Sequence, residues 1–523
     1  MMHKKDNLKA APEGRKHEAA TKAGLGRAAR ILFAAGICVL AAGCASNADF
    51  LAEQRDVTPA AWSSEMPQLS AAGAETNRYW WSAWNNAELN ILLAEAARAN
   101  TDVLTARANL RQAAALADEA TANLFPSLNA SMSGSGSRQM STGETNESWS
   151  ASAQAVWSIS LAGGNIAAQR AANLEAMASA MTLEDTRIAV ASEVAQTYVN
   201  LRLAYVRKRI AIMTFENYSQ ACDIARWHYE AGLSDRTELD QAISNMEGAR
   251  AQIPLMQASI VQYRNALARL TGQAAETLIV SDEEIVPAAP ATLAVSLPAE
   301  TLRQRPDMRA ATYSLVAASD RVYEARSQWF PNLQLTGSLG TQAAAISALG
   351  ATGTGVASLL GALAMPIFDW GAQVSASEQA LAALDRARAS YAATLLAALE
   401  ETENALTGIS TAQNRETALQ AALNAAISAA DLAMQQYEAG LTDYQTVLNT
   451  QRSLYSAREN LQSNKADLAT QLINLYRAMG GGWQPDEAVR QIDERISEAL
   501  KPAPVAASKA AAPGAVQAAS PEA

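Results

Sequence analysis

Two stretches of this chain admit little besides helix. Asn165–Ala231 runs for 67 residues without a Gly or a Pro, and Ala372–Ala439 runs for 68 with one Gly, Gly408. At about 1.5 Å per residue, each would approach ~100 Å if continuous. Helices of ordinary globular domains average about 11–12 residues, so these runs predict coiled-coil or tube elements. Each run ends on the same phrase. Tyr229-Glu230-Ala231-Gly232-Leu233 precedes Ser234-Asp235, and Tyr437-Glu438-Ala439-Gly440-Leu441 precedes Thr442-Asp443, 208 positions later. A Gly at the end of a long helix supplies the positive φ that closes it. The phrases therefore read as two hairpin tips.

The runs beyond the tips keep the same offset. Leu239, Met246, Ile253, Ile260 and Leu267 recur every seven residues, and so do Val447, Leu454, Leu461, Leu468 and Leu475. A sustained heptad predicts left-handed supercoiling against a neighbouring helix. The shared register of the two ladders points to an internal duplication.

Before each long run the period changes from helical to two. One helix is expected from about Asn86 to Ala122, ending at Phe125-Pro126. In Trp149–Leu161 the residues Trp149, Ala151, Ala153, Ala155, Trp157, Ile159 and Leu161 alternate with Ser150, Ser152, Gln154, Ser158 and Ser160. That is a strand between an apolar and a polar phase. Trp149 and Trp157 stand roughly 26 Å apart at about 3.3 Å per residue, which approaches the ~25 Å apolar band and aromatic girdles of an outer-membrane barrel. Residues Met140–Glu147, around Gly143, would turn this strand back on Leu128–Gln139. The second half repeats the pattern after Phe330-Pro331, with strands expected at about 332–344 and 355–368 around the loop Ala348–Gly355.

Each half is thus helix, two strands, long helix, tip, helix. Four strands cannot close a membrane barrel, since the smallest have about eight. An open edge in lipid would leave backbone groups unpaired at several kcal/mol each. The chain is expected to oligomerise, giving 8, 12 or 16 strands for two, three or four copies.

The N-terminus reads as a secretion signal. A basic region from Lys4 to Arg30 leads into the apolar run Ile31–Ala42, whose twelve residues are too few to span a bilayer, which needs roughly 20. Leu40-Ala41-Ala42-Gly43-Cys44 resembles a bacterial lipoprotein processing site, which would make Cys44 the lipidated first residue. The whole chain has net charge −11; without residues 1–43, which hold eight basic and three acidic residues, it is −16. That argues against a nucleic-acid partner, which would need a basic face. Cys222 is then left without an intrachain disulfide partner and is expected to be a buried apolar residue.

No catalytic constellation is legible. Beyond residue 43 there is one His, His228, expected as a solvated or stacked helix-end residue. His-rich zinc sites are thereby excluded, and a Ser-His-Asp triad has one candidate. No phosphate-cradling Gly motif is present. Glu400-Glu401-Thr402-Glu403 reads as a solvated face. The expectation is no enzyme, no metal and no cofactor.

Several segments carry a family resemblance over about residues 79–483. They are Trp80-Trp81 with Leu89 and Asn100-Thr101-Asp102; Leu124-Phe125-Pro126-Ser127-Leu128 and Trp329-Phe330-Pro331-Asn332-Leu333; Leu302-Arg303-Gln304-Arg305-Pro306-Asp307-Met308; Pro366-Ile367-Phe368-Asp369-Trp370-Gly371; and the twin tips. In this order the chain resembles the TolC/OprM-type outer-membrane efflux proteins, in particular the NodT-like lipoprotein branch. The resemblance implies a homotrimer, mainly α with a small membrane β part: a 12-stranded outer-membrane β-barrel on a 12-helix periplasmic α-barrel. It implies a passive duct served by a periplasmic adaptor protein and an inner-membrane pump of the RND type, with outer-membrane lipid around the barrel and around the anchor at Cys44. An exit duct of a type I protein-secretion system shares the fold, and a periplasmic coiled-coil lipoprotein without a pore is a third class.

On this resemblance the adaptor docks at Gly232, Leu233 and Ser234 and at Gly440, Leu441 and Thr442, the two Leu being exposed knobs. The family closes its periplasmic end just after the second tip, often with Asp. Here Thr446 and Asn449 stand there, and Thr237, Glu238 and Asp240 follow the first tip, so a cation-binding acidic ring at 446 and 449 is not expected. Arg236 is expected to pair with an acid on a neighbouring chain. The expected domains are a signal (1–43), an anchored segment (44–78), repeats at 79–272 and 298–483, a crossover on the tube's outside (273–297) and a tail (484–523) that keeps a short helical stretch to about Leu500 and is otherwise without fixed structure.

Overall fold

The computed structural model describes residues 80–288 and 305–481. The signal, Cys44, the segments at 289–304 and the tail lie outside them. After a short 3-10 turn at Trp80–Trp84 come α1 (Ala87–Ala99), α2 (Thr101–Ala122), β1 (Ser127–Arg138), β2 (Thr145–Ser160), α3 (Gly164–Glu230) and α4 (Arg236–Leu270). The second half holds α5 (Pro306–Ser327), β3 (Asn332–Ala343), β4 (Gly355–Ala364), α6 (Ala372–Glu438) and α7 (Tyr444–Ala478). The long helices are 67 residues each and the helices after them 35 each. The duplication read from the heptads is therefore present in the element lengths.

Two boundaries depart clearly from the sequence reading. The helix expected over 86–122 is broken at Asn100. Its Oδ1 accepts the backbone N–H of Asp102 and Val103 and caps α2, while its Nδ2 donates to the Leu270 carbonyl at 2.9 Å. An N-cap with a tertiary partner outweighs the helical pattern on either side. The last strand ends at Ala364, because Pro366 has no N–H for the ladder and the chain turns through Trp370 and Gly371, both at positive φ. The helical start expected near Pro298 falls outside the described residues; within them α5 begins at Pro306, with Arg305 as N-cap and Pro at the first helical position, where a missing N–H costs nothing.

The strands form one antiparallel sheet in the order β1-β2-β3-β4. The central pairing, from Trp149↔Ala343 to Ser160↔Asn332, joins the two repeats edge to edge. Trp149 lies over Gly134 of β1, where a Cβ would come within 2.6 Å of the indole.

Helix α5 packs against both α3 and α6, and α7 packs against α6 and α3. The heptad ladders are buried at most of their positions: Leu239, Ile260 and Leu267 in α4, and Val447, Leu454, Leu461 and Leu475 in α7. The largest core cluster gathers α1, the middle of α3 and the far ends of α4 and α7. A second surrounds the tips and includes the buried Cys222, as the sequence suggested. Residues 273–288 carry no helix or strand. They are held by Arg202, which donates to the Ser281 and Glu283 carbonyls, to Tyr198 Oη and to Glu88.

Candidate functional site

Both tips are built alike. Gly232 (φ 75°) and Gly440 (φ 70°) end α3 and α6. The N–H of Leu233 reaches back to the His228 carbonyl at 2.8 Å, and that of Leu441 to the Gln436 carbonyl at 2.8 Å. With the Gly232→Tyr229 and Gly440→Tyr437 bonds these are Schellman motifs, which satisfy the last carbonyls of each helix. Asp235 and Asp443 then cap α4 and α7 by accepting the N–H of Glu238 and Thr446 at 3.0 and 2.8 Å. A helix stop and a helix start are thus separated by a few residues, which makes each tip stiff. Leu233 and Leu441 project from it, 76 % and 78 % exposed. Ser234 and Thr442 are half-buried, and the Ser234 hydroxyl is shielded with no partner among the described residues.

The tips differ in what surrounds them. Trp227 is exposed beside the first, and its counterpart 208 residues on is Gln435. Tyr437 of the second phrase is buried. Its hydroxyl donates to Glu238 Oε1 at 2.5 Å, and its ring meets His228 at 5.1 Å and Tyr444 at 6.0 Å. Burial, and then the Glu238 carboxylate, push the Tyr437 phenol well above its ordinary range. Its counterpart Tyr229 is exposed, with the Arg236 guanidinium 6.0 Å from its ring centre. His228 is the stacked helix-end residue expected of it.

The gate candidates separate into two groups. Glu238 reaches across to the second tip, while Arg236 bonds Asp240 of its own helix at 2.9 Å. Within the chain the partner of Arg236 is therefore an acid of its own helix, at i+4. Thr237 is exposed. Thr446 donates its hydroxyl to Asp443 at 2.6 Å, and that bond, with the backbone one, holds the Asp443 carboxyl below its usual range. Asn449 accepts from Gln445 at 3.4 Å. These bonds occupy Thr446 and Asn449 within their own turn.

At the other end of the long helices, register fixes the faces of the sheet. Trp149, Ala151, Ala153, Ala155, Trp157 and Ile159 share one side, with Leu333, Leu335 and Leu339 of β3 paired to them. Trp157 donates its indole N–H to the Leu124 carbonyl at 2.9 Å, with Phe125 exposed next to it. In β1 to β3 the other side carries Ser, Asn, Gln and Thr apart from Gly340 and Val156, and Ser131–Ser152 and Ser133–Ser150 hydroxyl pairs at 3.1 and 2.8 Å cross it; β4 does not alternate and places Val356 and Leu360 on that side.

One charged cluster was visible only as a motif. Arg305 forms a two-pronged pair with Asp307 (3.0 and 2.7 Å), reaches Glu401 at 3.0 Å and donates to the Ala478 carbonyl at 2.9 Å. It ties the start of α5 to α6 and to the end of α7. Burial opposes the Arg305 charge, but Asp307 and Glu401 outweigh it and the guanidinium titrates above its ordinary value. Glu401 is therefore an ion-pair partner and Thr402 is buried, so the expected solvated carboxylate face is only partly solvated. Among the described residues no three His, Cys, Asp or Glu side chains gather as a metal site.

The comparisons with known proteins agree with this architecture. The family profile described as outer membrane efflux protein matches residues 92–273 and 297–481. The pyoverdine export outer membrane protein OpmQ of Pseudomonas aeruginosa is 30 % identical over 464 residues, 86 % of this chain and 96 % of that protein. The cation efflux system protein CusC of Escherichia coli O6:H1 is 27 % identical over 451 residues, 84 % of this chain and 96 % of that one. The solved outer-membrane channel OprN superposes with TM-score 0.74 at 28 % identity, covering 83 % of this chain and all of that one. The duplicated helices, the two-faced sheet and the family match together place the chain: it belongs to the outer membrane efflux protein family.

Proposed function

We propose that the chain forms, as a homotrimer, the outer-membrane duct of a tripartite efflux system. The observation that carries this reading is the four-stranded sheet. Its strands β1 to β3 have one apolar and one largely polar face, β4 is mostly apolar on both, and β1 and β4 each have an unpaired edge. In hydrocarbon those edges must pair, and three copies joined β4 to β1 give a 12-stranded barrel with its polar face inward. The helices beneath supply the periplasmic tube, and Cys44 carries the lipid anchor. The two tips per chain, six per trimer, are rigid apolar knobs suited to the hairpins of a periplasmic adaptor. An inner-membrane pump, of the RND type, supplies the energy.

The duct is passive and carries out no catalysis. Gating belongs to the tips: the Tyr437–Glu238 bond holds the two hairpins of one chain together, and neutral Thr446 and Asn449 take the places where the family often has Asp. Relatives named for pyoverdine, cations and toluene share this fold, so the fold does not select the cargo. Small-molecule export is the reading we favour.

Planar-bilayer conductance of the purified protein, with a heat-modifiable trimer on a gel, tests the duct. A non-conducting protein that urea strips from membranes would sink it. Gene deletion separates cargo classes: heightened sensitivity to toxic small molecules is expected, and loss of a secreted protein with unchanged sensitivity would assign the duct to protein secretion instead.

A further inference from the structure

The polar face of the sheet has a property that neither the fold nor the family requires. In all four strands the only charged residues are Arg138 and Glu147. Both lie by the outer β1–β2 turn, and by register both fall on the apolar side, in line with Leu128 and Trp149. The polar side is entirely uncharged. Its transverse rows run Ser131–Ser152–Gly340–Val356 and Asn129–Gln154–Ser338–Ser358. Its hydroxyls answer one another across the strands. The Ser131–Ser152 and Ser133–Ser150 pairs are joined by Ser338–Ser358 at 2.7 Å, and Gln342 donates to Ser148 Oγ at 3.1 Å.

Distance keeps this band neutral. Ser152 is five residues from Glu147, about 17 Å along the strand, and eight from the end of β2, about 26 Å. The Debye length is about 10 Å at 0.1 M salt, so charges at either rim are screened from the middle. At the helix end Asp369, five residues beyond β4, is engaged by the N–H of Gly371 and Gln373. Hydroxyl and amide groups present donors and acceptors alike, so they serve an anion as well as a cation.

We propose that the strand-lined end of the duct is blind to charge. It passes polar solutes of either sign, and uncharged ones, without sorting them, and any charge discrimination resides in the helical wall or the partners upstream. This rests on the duct reading. A chain of net charge −11 that carries no charge on its barrel lining has confined its acidity elsewhere.

The test is the full chain carrying Ser152→Cys, reconstituted in liposomes and exposed to a cationic and an anionic methanethiosulfonate of similar size. Cys222 is buried, and the unsubstituted protein gives the background. The ratio of the two rates, divided by the ratio for a small free thiol, is expected within about threefold of one at 0.1 M salt. Adding Ser150→Asp beside the reporter should move it several-fold toward the cationic reagent. A tenfold preference without the added charge, or a ratio that the added carboxylate fails to move, overturns the proposal. If the inserted protein is labelled by neither reagent at position 152 nor, in a second variant, at Ser338→Cys, the barrel is not water-filled and the duct reading itself falls.

Discussion

Tyr437 donates its phenol to Glu238 across 199 residues of sequence and thereby fastens the second tip to the first. Duplication makes the pair informative. The counterparts of Tyr437 and Glu238 are Tyr229 and Thr446, and Tyr229 stands exposed while Thr446 is spent on its own cap. The junction between the two tips of the chain thus carries a hydrogen bond to a carboxylate that the duplicated positions do not repeat. Tyr437→Phe keeps the ring contacts and removes the bond, which for a charged acceptor is about 1.5–3 kcal/mol. We expect a higher open probability in bilayers and faster amide exchange at residues 229–240. Tyr229→Phe should change tip stability by about 0.5 kcal/mol or less. Equal effects of the two would show that the Glu238 bond does not hold the gate.

Much of this architecture was legible beforehand. The tips were readable because a helix stop and a cap are local chemistry: Gly for φ > 0, Asp for the next N-terminus. The strand is readable because β2 alternates apolar and polar residues along its length, so period two survives in the residue order. What resisted was fastened at long range. Asn100 reads as one polar residue in an Ala-rich helix until Leu270, 170 residues away, is beside it. Arg202 looks like any helix Arg, yet its partners Glu88 and Ser281 come from either side of the strands and tips. The Arg305-Pro306-Asp307 motif was seen, but its reach to Glu401 and Ala478 was not. Arg236 follows a tip in sequence, and the helix that starts there puts Asp240 one turn on, within reach of its guanidinium.

Arg305 holds three elements from a nearly buried position, and its loss leaves Asp307 and Glu401 facing one another. Removing one member of such a cluster costs about 3–5 kcal/mol. Arg305→Ala should lower the thermal midpoint strongly, and Arg305→Lys should recover only part of it, since an ammonium cannot make the two-pronged pair with Asp307. Adding Glu401→Gln to Arg305→Ala should restore some of the loss. Additive effects of the two changes would contradict the coupling.

Asp185 lies near the same cluster. Burial, and then the nearby Asp307 carboxylate, raise its carboxyl above the ordinary value of 3.8. A folded-state value above the unfolded one means the fold favours the protonated form. The stability it contributes is full below 3.8 and is lost as pH rises through the folded value. At neutral pH the charged Asp185 is therefore a burden. Asp185→Asn should melt higher than the unsubstituted protein at pH 7, with the gap closing as the pH falls toward 3.8. A constant gap across that range would assign the effect to something other than titration.

Two glycines separate strain from crowding. Gly440 has φ 70° and open space where a Cβ would go, so Gly440→Ala meets only the left-handed penalty of about 1–2 kcal/mol. Gly272, at φ 68°, would place a Cβ 2.5 Å from the Ala99 carbonyl, at the seam between α1 and the crossover. Gly272→Ala should be clearly the more damaging in thermal unfolding of the assembled protein. If the two are equal, the seam at Ala99 gives way easily and does not restrain the fold.

The heptad mates Ile253 and Leu461 make the sharpest test of what surrounds the helices. They occupy equivalent positions 208 residues apart, yet Leu461 is buried and Ile253, beside Pro254 in α4, is half-exposed within one chain. A buried Leu→Ala costs about 2–5 kcal/mol through lost transfer energy and the cavity left behind. Ile253→Ala, judged by the isolated chain, should cost well under the value for Leu461→Ala. In the proposed trimer the comparison becomes a measure of assembly. If both substitutions cost the same in the assembled protein, a second chain covers Ile253, and the Ile253→Ala variant should also dissociate at lower detergent concentration. If Ile253→Ala remains mild in the trimer, that face of α4 lies against water, and the first ladder supercoils only through Leu239, Ile260 and Leu267.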